Sequence, residues 1–293
     1  MTRLSIELVR ASGASVTISP GRTGSPLILM GGVQGLGVAP QDLSLSPVLA
    51  GHGAVLRGTR STERDIRLPI LVSTRSPDEC SLVLDQLVHL VNPFDTTELT
   101  VRVTRGGREG WREIPVRYAG GLDELGEEYY GTTCKVGLEL KAPSALWRGE
   151  PVQISQQVAP ARKPFLSLTQ PFFPVVLASS TVAGRVSVTI AGDARTLPKW
   201  TVTPPGEDLL IRHLGSGVRL FLSGVINEPV VVDMAAGRVY SEATGANLND
   251  RLSLDSRFFE LEPGPQELEF SMVGATPVSM LSLTYQPRYL SGY

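Results

Sequence analysis

Apolar and polar residues alternate along most of this chain, which is the period-two signature of strands with one buried face. Leu4, Ile6 and Leu8 share one side and Ser5 and Glu7 the other, and a turn at Ser12 and Gly13 leads to Val16 and Ile18, predicting an opening hairpin. Leu99, Val101 and Val103 alternate with Thr100, Arg102 and Thr104, and Gly106 with Gly107 turns the chain toward Trp111 and a strand at 114–118. Cys134, Val136, Leu138 and Leu140 form a third such face, which stops at Pro143. Further on, residues 185–190 alternate, and residues 209–214 and 218–222 flank Gly215, Ser216 and Gly217 as a hairpin. Residues 268–273 and 280–285 predict two more strands.

The run at 230–264 carries the densest pattern. Val230, Val231 and Val232 are β-branched, residues 233–237 supply a turn, and Val239 with Tyr240 resumes an extended segment. A second turn at 245–250 leads to Leu252, Leu254, Phe258, Phe259 and Leu261 before Glu262, Pro263 and Gly264 close the unit. The period changes to helical at one place. Ser76 is a capping residue, Pro77 suits the first helical position, and Glu79 completes a capping box. Cys80, Val83, Leu84, Leu87, Leu90 and Val91 then recur at three- and four-residue spacing until Asn92 and Pro93 stop the helix.

Composition supports a mainly β chain: 30 Gly and 22 Pro punctuate 293 residues, a length that accommodates two domains. Residues 142–164 hold Pro143, Pro151, Pro160 and Pro164, so the expected division is 1–163 and 164–293. The second part reads as an antiparallel β-sandwich, the first as a β-sandwich or barrel-like domain with one α-helix. Residues between Lys163 and Arg185 carry no charge, but Pro171 and Pro174 interrupt them, so they read as a linker running into a strand and no membrane insertion is expected. The N-terminal alternation lacks the continuous apolar core of a signal peptide.

A formal net charge of −2 excludes an extended phosphate-neutralising surface. Little chemistry remains. The glycines of Met30–Leu36 are spaced for neither common phosphate loop, and Pro40 follows where a helix should begin, so they read as a loop or a close backbone approach. Arg57, Arg60, Arg64 and Arg67 are interleaved with Glu63 and Asp65, as on a strand face of paired charges. His52, His89 and His213 are scattered, Cys80 and Cys134 read as buried thiols, and no metal or cofactor is expected. The acidic loop of Asp123, Glu124, Glu127 and Glu128 lacks the order of a calcium loop. Asp233, Asp255, Glu260 and Glu262 are the carboxylates that a glycosidase reading needs, but they border turns and read as solvated, so no enzyme is expected.

The order of these pieces resembles the distal tail protein (Dit) family of phages with long, non-contractile tails. In the first half the matching features are MGGVQGLGVAP, GTRSTERDIRLPILV, the capped helix ending at Asn92 and Pro93, and ELKAPSALWRGEP. In the second half they are Gly192, Asp193 and Ala194 with Pro198 and Trp200, then Val231, Val232 and Asp233, Gly237, Arg238 and Val239, and residues 256–264. The Gly-Pro that follows the Trp strand in the family is replaced here by Pro204, Pro205 and Gly206.

The resemblance implies an N-terminal ring-forming domain and a C-terminal galectin-like β-sandwich in a virion tail tip, assembled in the host cytoplasm. It implies a homohexameric ring bound to the tail tube protein above and the tail-associated hub protein below. The tape measure protein and then DNA would pass through its lumen without specific binding. Asp123, Glu124, Glu127 and Glu128 are the candidates for an acidic lumen face. The alternative is a carbohydrate-binding module contacting the host surface, for which Trp200 is the candidate sugar contact, although its alternating strand after Pro198 favours core packing.

Overall fold

Strands form where one side of an alternating segment finds a core, and the register of the computed structural model follows the sequence periodicity. It describes residues 4–21, 25–48, 51–123, 131–157 and 181–293. Two units result, one of residues 1–150 with 288–293 and one of residues 151–287.

The first unit contains β1 (Leu4–Arg10), β2 (Ser15–Ile18), β3 (Leu27–Leu29), β4 (Gln41–Pro47), β5 (Ala54–Ser61) and β6 (Arg64–Ser73). Helix α1 (Pro77–Leu90), β7 (Leu99–Arg105), β8 (Trp111–Gly120), β9 (Thr133–Ala142) and β10 (Trp147–Gly149) follow. The main sheet runs β2-β1-β7-β8-β9-β6-β3, and a parallel bridge between Ser19 and Ile28 brings its two ends together. The sheet is thus a nearly closed barrel, which leaves little free edge. Ile6, Leu8, Leu68, Ile70, Val101, Ile114 and Leu138 fill it, each from the inward side of its alternating strand.

Helix α1 begins as its sequence predicts. The Ser76 hydroxyl accepts from the Glu79 amide at 3.2 Å, and the Glu79 carboxylate accepts from the Arg75 amide at 2.9 Å, one residue earlier than in a standard capping box. Cys80, Leu87 and Leu90 are buried beneath it. Its far end is held by Arg10, which is buried and donates to the carbonyls of Leu90 at 2.6 Å, Thr97 at 2.7 Å and Asn92 at 2.8 Å. A guanidinium there satisfies carbonyls that the helix leaves unpaired and complements the negative end of its dipole.

Asp95 belongs to the same corner. It accepts from the Thr97 amide and hydroxyl, each at 2.8 Å, and lies 3.8 Å from Arg10. These bonds, the amide's first, hold its carboxyl below the usual carboxylate range. A depressed folded-state pKa gives stability that is present above the unfolded value and lost as pH falls through the folded one. Asp95→Asn is therefore expected to lower the unfolding free energy at neutral pH, with the gap from the parent protein shrinking as pH drops below the carboxylate range. Urea unfolding over a pH series measures this, and a gap that does not change with pH overturns it.

The second unit contains β11 (Val152–Gln157), β12 (Thr181–Ile190), β13 (Lys199–Thr203), β14 (Gly206–His213) and β15 (Arg219–Ile226). β16 (Val230–Asp233), β17 (Arg238–Ser241), β18 (Gly264–Val273) and β19 (Met280–Tyr285) complete it. One sheet is β11-β19-β13-β16-β17 and the other β12-β18-β14-β15, with Val202, Leu209, Leu222, Val232, Leu261 and Met272 in the core they share. The run 230–264 forms the β16–β17 hairpin, whose turn is capped by the Asp233 carboxylate accepting from the Ala235 and Ala236 amides at 3.0 and 2.9 Å. After the second turn a short helical turn forms at Asn249–Arg251, and residues 252–261 follow as a non-strand segment tied in by isolated bridges of Leu252 to Leu222 and Leu261 to Thr196. Phe259 and Leu261 point inward while Leu254 is fully exposed.

The two units differ from a division at 163/164 in two places. β11 pairs along its length with β19, so the second sheet takes a strand from before that point. At the other end β20 (Arg288–Tyr289) pairs with β10, returning the chain to the first unit. Both are long-range pairings, and neither stretch carries a local signal of its destination.

Candidate interaction surfaces

The four arginines of residues 57–67 separate into different environments. Arg67 pairs with Glu139, and Lys141 lies 3.6 Å from both Glu63 and Asp65, as expected of a charged strand face. Arg64 is the exception. It is 1% exposed and donates to the carbonyls of Gly35 at 3.0 Å, Gly37 at 2.6 Å and Ala145, and at 3.5 Å to Leu290, with its guanidinium over the Trp147 ring. Burial lowers its pKa. The glycine-rich segment is thus a close backbone approach: a Cβ on Gly35 would stand 2.1 Å from the Asp65 carbonyl oxygen, and the residue has φ +81°.

Arg57 and Arg60 lie on β5, in a hairpin where β4 and β5 pair only with each other. Every residue of β5 and nearly every residue of β4 is exposed. The hairpin nevertheless carries Leu43, Leu45, Val48, Val55 and Leu56. Leu45 stands directly opposite Leu56, and Leu43 is two residues away on the same side, so one face has an apolar strip. A two-stranded hairpin is at best marginally stable alone in water, and this one exposes five apolar residues.

A second such surface is the outer face of α1. Asp78, Leu82, Asp85 and His89 follow at helical spacing, with Val88 beside them, and all are exposed. Phe94, just beyond the helix, is 91% exposed. His52 also lies on the surface, and among the described residues no cluster of His, Cys, Asp and Glu is arranged to hold a metal ion.

In the second unit, Trp200 is 3% exposed and lies in the core, lining a small apolar cavity with Ile154, Val188, Phe270 and Leu283. A sugar stacks on an exposed ring face, so the expectation of a sugar contact at Trp200 is corrected: the strand alternation turns this residue inward. His213 is also internal, hydrogen-bonded to Ser216 at 2.8 Å and Gln266 at 2.7 Å and stacked on Phe259.

The candidate carboxylates are engaged on the surface. Glu260 and Glu262 lie 3.9 and 2.7 Å from Arg195, and Asp233 lies 3.6 Å from Lys199. Asp255 pairs with Arg219, and hydrogen bonds from Ser253 and then Arg219 hold its carboxyl below the usual range, opposite to what a general acid requires. In the acidic loop, Asp123 is exposed and accepts from the Gly121 amide at 3.2 Å, while Glu124, Glu127 and Glu128 lie outside the described residues.

Comparison with known proteins places this geometry. The family described as siphovirus-type tail component, C-terminal domain, matches residues 191–289. Among solved structures, the Dit protein of phage SPP1, described as a paradigm of the hub adsorption apparatus in phages infecting Gram-positive hosts, superposes with a TM-score of 0.66. That match has 14% identity over 97% of this chain and 98% of the other. The baseplate of phage p2 in its activated conformation with calcium gives a TM-score of 0.53 at 9% identity, covering 97% of this chain and 98% of the other. No curated protein matches by sequence. The chain thus resembles a siphovirus-type tail component over residues 191–289 and shares the fold of the SPP1 Dit protein along nearly its whole length.

Proposed function

We propose that the protein is a structural part of the phage tail tip, where six copies form a ring joining the tail tube to the baseplate hub. The observation that carries this reading is the Dit fold over both units together with an apolar hairpin that its own unit leaves uncovered. A ring requires a heterologous contact that closes by rotation, in which two different surfaces of one chain meet. The tape measure protein and then DNA pass through the lumen. DNA slides best past a wall that does not bind phosphate, and the acidic run at 123–128 suits such a wall. The β-sandwich of the second unit is galectin-like in this reading. Assembly in the host cytoplasm and a place in the virion tail follow.

Mass photometry of the isolated full chain tests the ring. A species of six times the 31.5 kDa chain mass is expected as concentration rises. A strict monomer throughout, both alone and when mixed with its tail tube and hub partners, overturns it.

A further inference from the structure

Period-two alternation keeps apolar residues on the inward side of β7 and β8 until the end of their hairpin, where the sequence places arginines instead. Arg105 follows Val101 and Val103 on one strand, and Arg112 stands directly across from Val103 and two residues before Ile114 on the other. Both therefore leave the sheet on the face that the core occupies, just beyond the core. Between them the turn at 105–108, closed by the Arg108 amide donating to the Arg105 carbonyl at 3.2 Å, adds a third guanidinium. The three border an open cavity of about 450 Å³ whose other lining residues are Gly106, Gly107 and Tyr293. Among the described residues no carboxylate side chain lines it.

Two of these guanidinium groups are held in place by the backbone. Arg108 donates from Nη2 to the carbonyls of Val103 at 3.2 Å and Gly292 at 3.1 Å, while its Nη1 is enclosed and meets no acceptor. Arg112 donates from Nη1 to the Ser291 carbonyl at 2.8 Å and stacks on the Tyr289 ring. Carbonyl oxygens carry no net charge, so these bonds fix the side chains without neutralising them. Neither Arg105 nor Arg108 has an ion pair among the described residues, whereas Arg67, Arg102 and Arg148 each face a carboxylate. Burial, followed by the positive charges of Arg112 and Arg105, lowers the pKa of Arg108. The fold thus holds like charges together at a cost that a bound anion offsets.

We infer that this turn is a binding site for a phosphate dianion, taken either as the free ion or as the end of a phosphate monoester. Guanidinium groups present paired N–H donors that match phosphate oxygens, and a site built of donors alone favours the more highly charged anion. Arg108 and Arg112 pre-organise the site, and the exposed Arg105 supplies the third charge. Because Arg108 and Arg112 also hold residues 291 and 292, an occupied site stabilises the segment that returns to the first unit. The inference is independent of the ring reading.

Calorimetric titration of the full chain tests it, with inorganic phosphate, phenyl phosphate and dimethyl phosphate as probes at fixed ionic strength, above the second pKa of phosphate. Saturable binding of one phosphate per chain is expected, at least about tenfold tighter than that of dimethyl phosphate, which carries a single charge. Phenyl phosphate binding as tightly as phosphate assigns the site to a monoester end; binding about tenfold weaker assigns it to the free ion. Arg105→Ala removes an exposed side chain that has no ion pair, so the variant should fold, and it is expected to bind phosphate about tenfold more weakly. Arg105→Lys should recover part of that loss, and Arg60→Ala, an exposed arginine elsewhere, should lose less than about twofold. Phosphate should also raise the first unit's thermal midpoint where chloride at the same ionic strength does not. Absence of saturable phosphate binding, equal binding of dimethyl phosphate, or an unchanged affinity in Arg105→Ala each overturns the inference. A midpoint rise that Arg105→Ala keeps in full does so too, because it marks a general effect of the salt.

Discussion

Replacing Arg64 with alanine is expected to lower the thermal midpoint of the first unit by roughly 10 °C or more. Four carbonyl oxygens, of Gly35, Gly37, Ala145 and Leu290, converge on this one buried guanidinium. Hydrogen bonds to charged groups contribute about 1.5–3 kcal/mol each, and acceptors left unpaired in the interior cost about as much as the bonds gave. The ring of Trp147 would also face a cavity. A loss of about 3–5 kcal/mol is therefore the expectation.

Arg64→Met separates the two contributions, since it fills most of the volume and leaves the carbonyls unpaired. It should recover only the packing part. Arg64→Lys should also fail to restore stability, because one ammonium cannot span acceptors that a planar fork reaches on two sides. Calorimetry of the three variants decides the matter, and an alanine variant within about 1 kcal/mol of the parent removes the role assigned to Arg64.

Removing residues 288–293 is expected to destabilise the first unit nearly as much, although the cut lies far along the chain from that unit's core. Trp147 is fully buried, and Tyr289 pairs with it across β10 and β20. Gly292 lies against the indole so closely that a Cβ there would approach it to 2.9 Å. The Gly292 amide donates to the Leu36 carbonyl at 2.7 Å, Arg112 donates to the Ser291 carbonyl at 2.8 Å, and Arg108 to that of Gly292 at 3.1 Å. Arg112 also stacks on the Tyr289 ring at 3.6 Å.

Uncovering one face of a tryptophan exposes on the order of 100 Å² of apolar surface, or about 2.5 kcal/mol, before the lost bonds are counted. The truncated chain should show red-shifted tryptophan emission and faster proteolysis within residues 1–150, while the second unit keeps its own transition. Gly292→Val should give a milder version by pushing on the indole. Unchanged emission and an unchanged first transition would falsify this account of the segment.

The sequence by itself determined the elements whose causes are local. The hairpins at β7–β8, β14–β15 and β16–β17 follow from period-two alternation around Gly-rich turns. Helix α1 follows from Ser76, Pro77 and Glu79. Even the inward placement of Trp200 was written in its strand alternation. The resemblance to the Dit family was legible too, and the fold agrees with it, since the SPP1 Dit structure superposes with a TM-score of 0.66 at 14% identity.

The tertiary structure alone decided everything set by residues distant in sequence. Arg64 reads as one charge among several on a strand, and only the meeting of residues 35, 37, 145 and 290 makes it internal. Residues 41–47 alternate, but their Ser, Pro and Gln composition carries little strand propensity, so β4 and the exposed arm it forms with β5 went unread. The assignment of β11 to one unit and β20 to the other depends on which strand each finds to pair with. Alternation tells a strand which side to bury, but the partner is chosen by the summed burial and hydrogen bonding of the whole sheet, and no local window contains that sum.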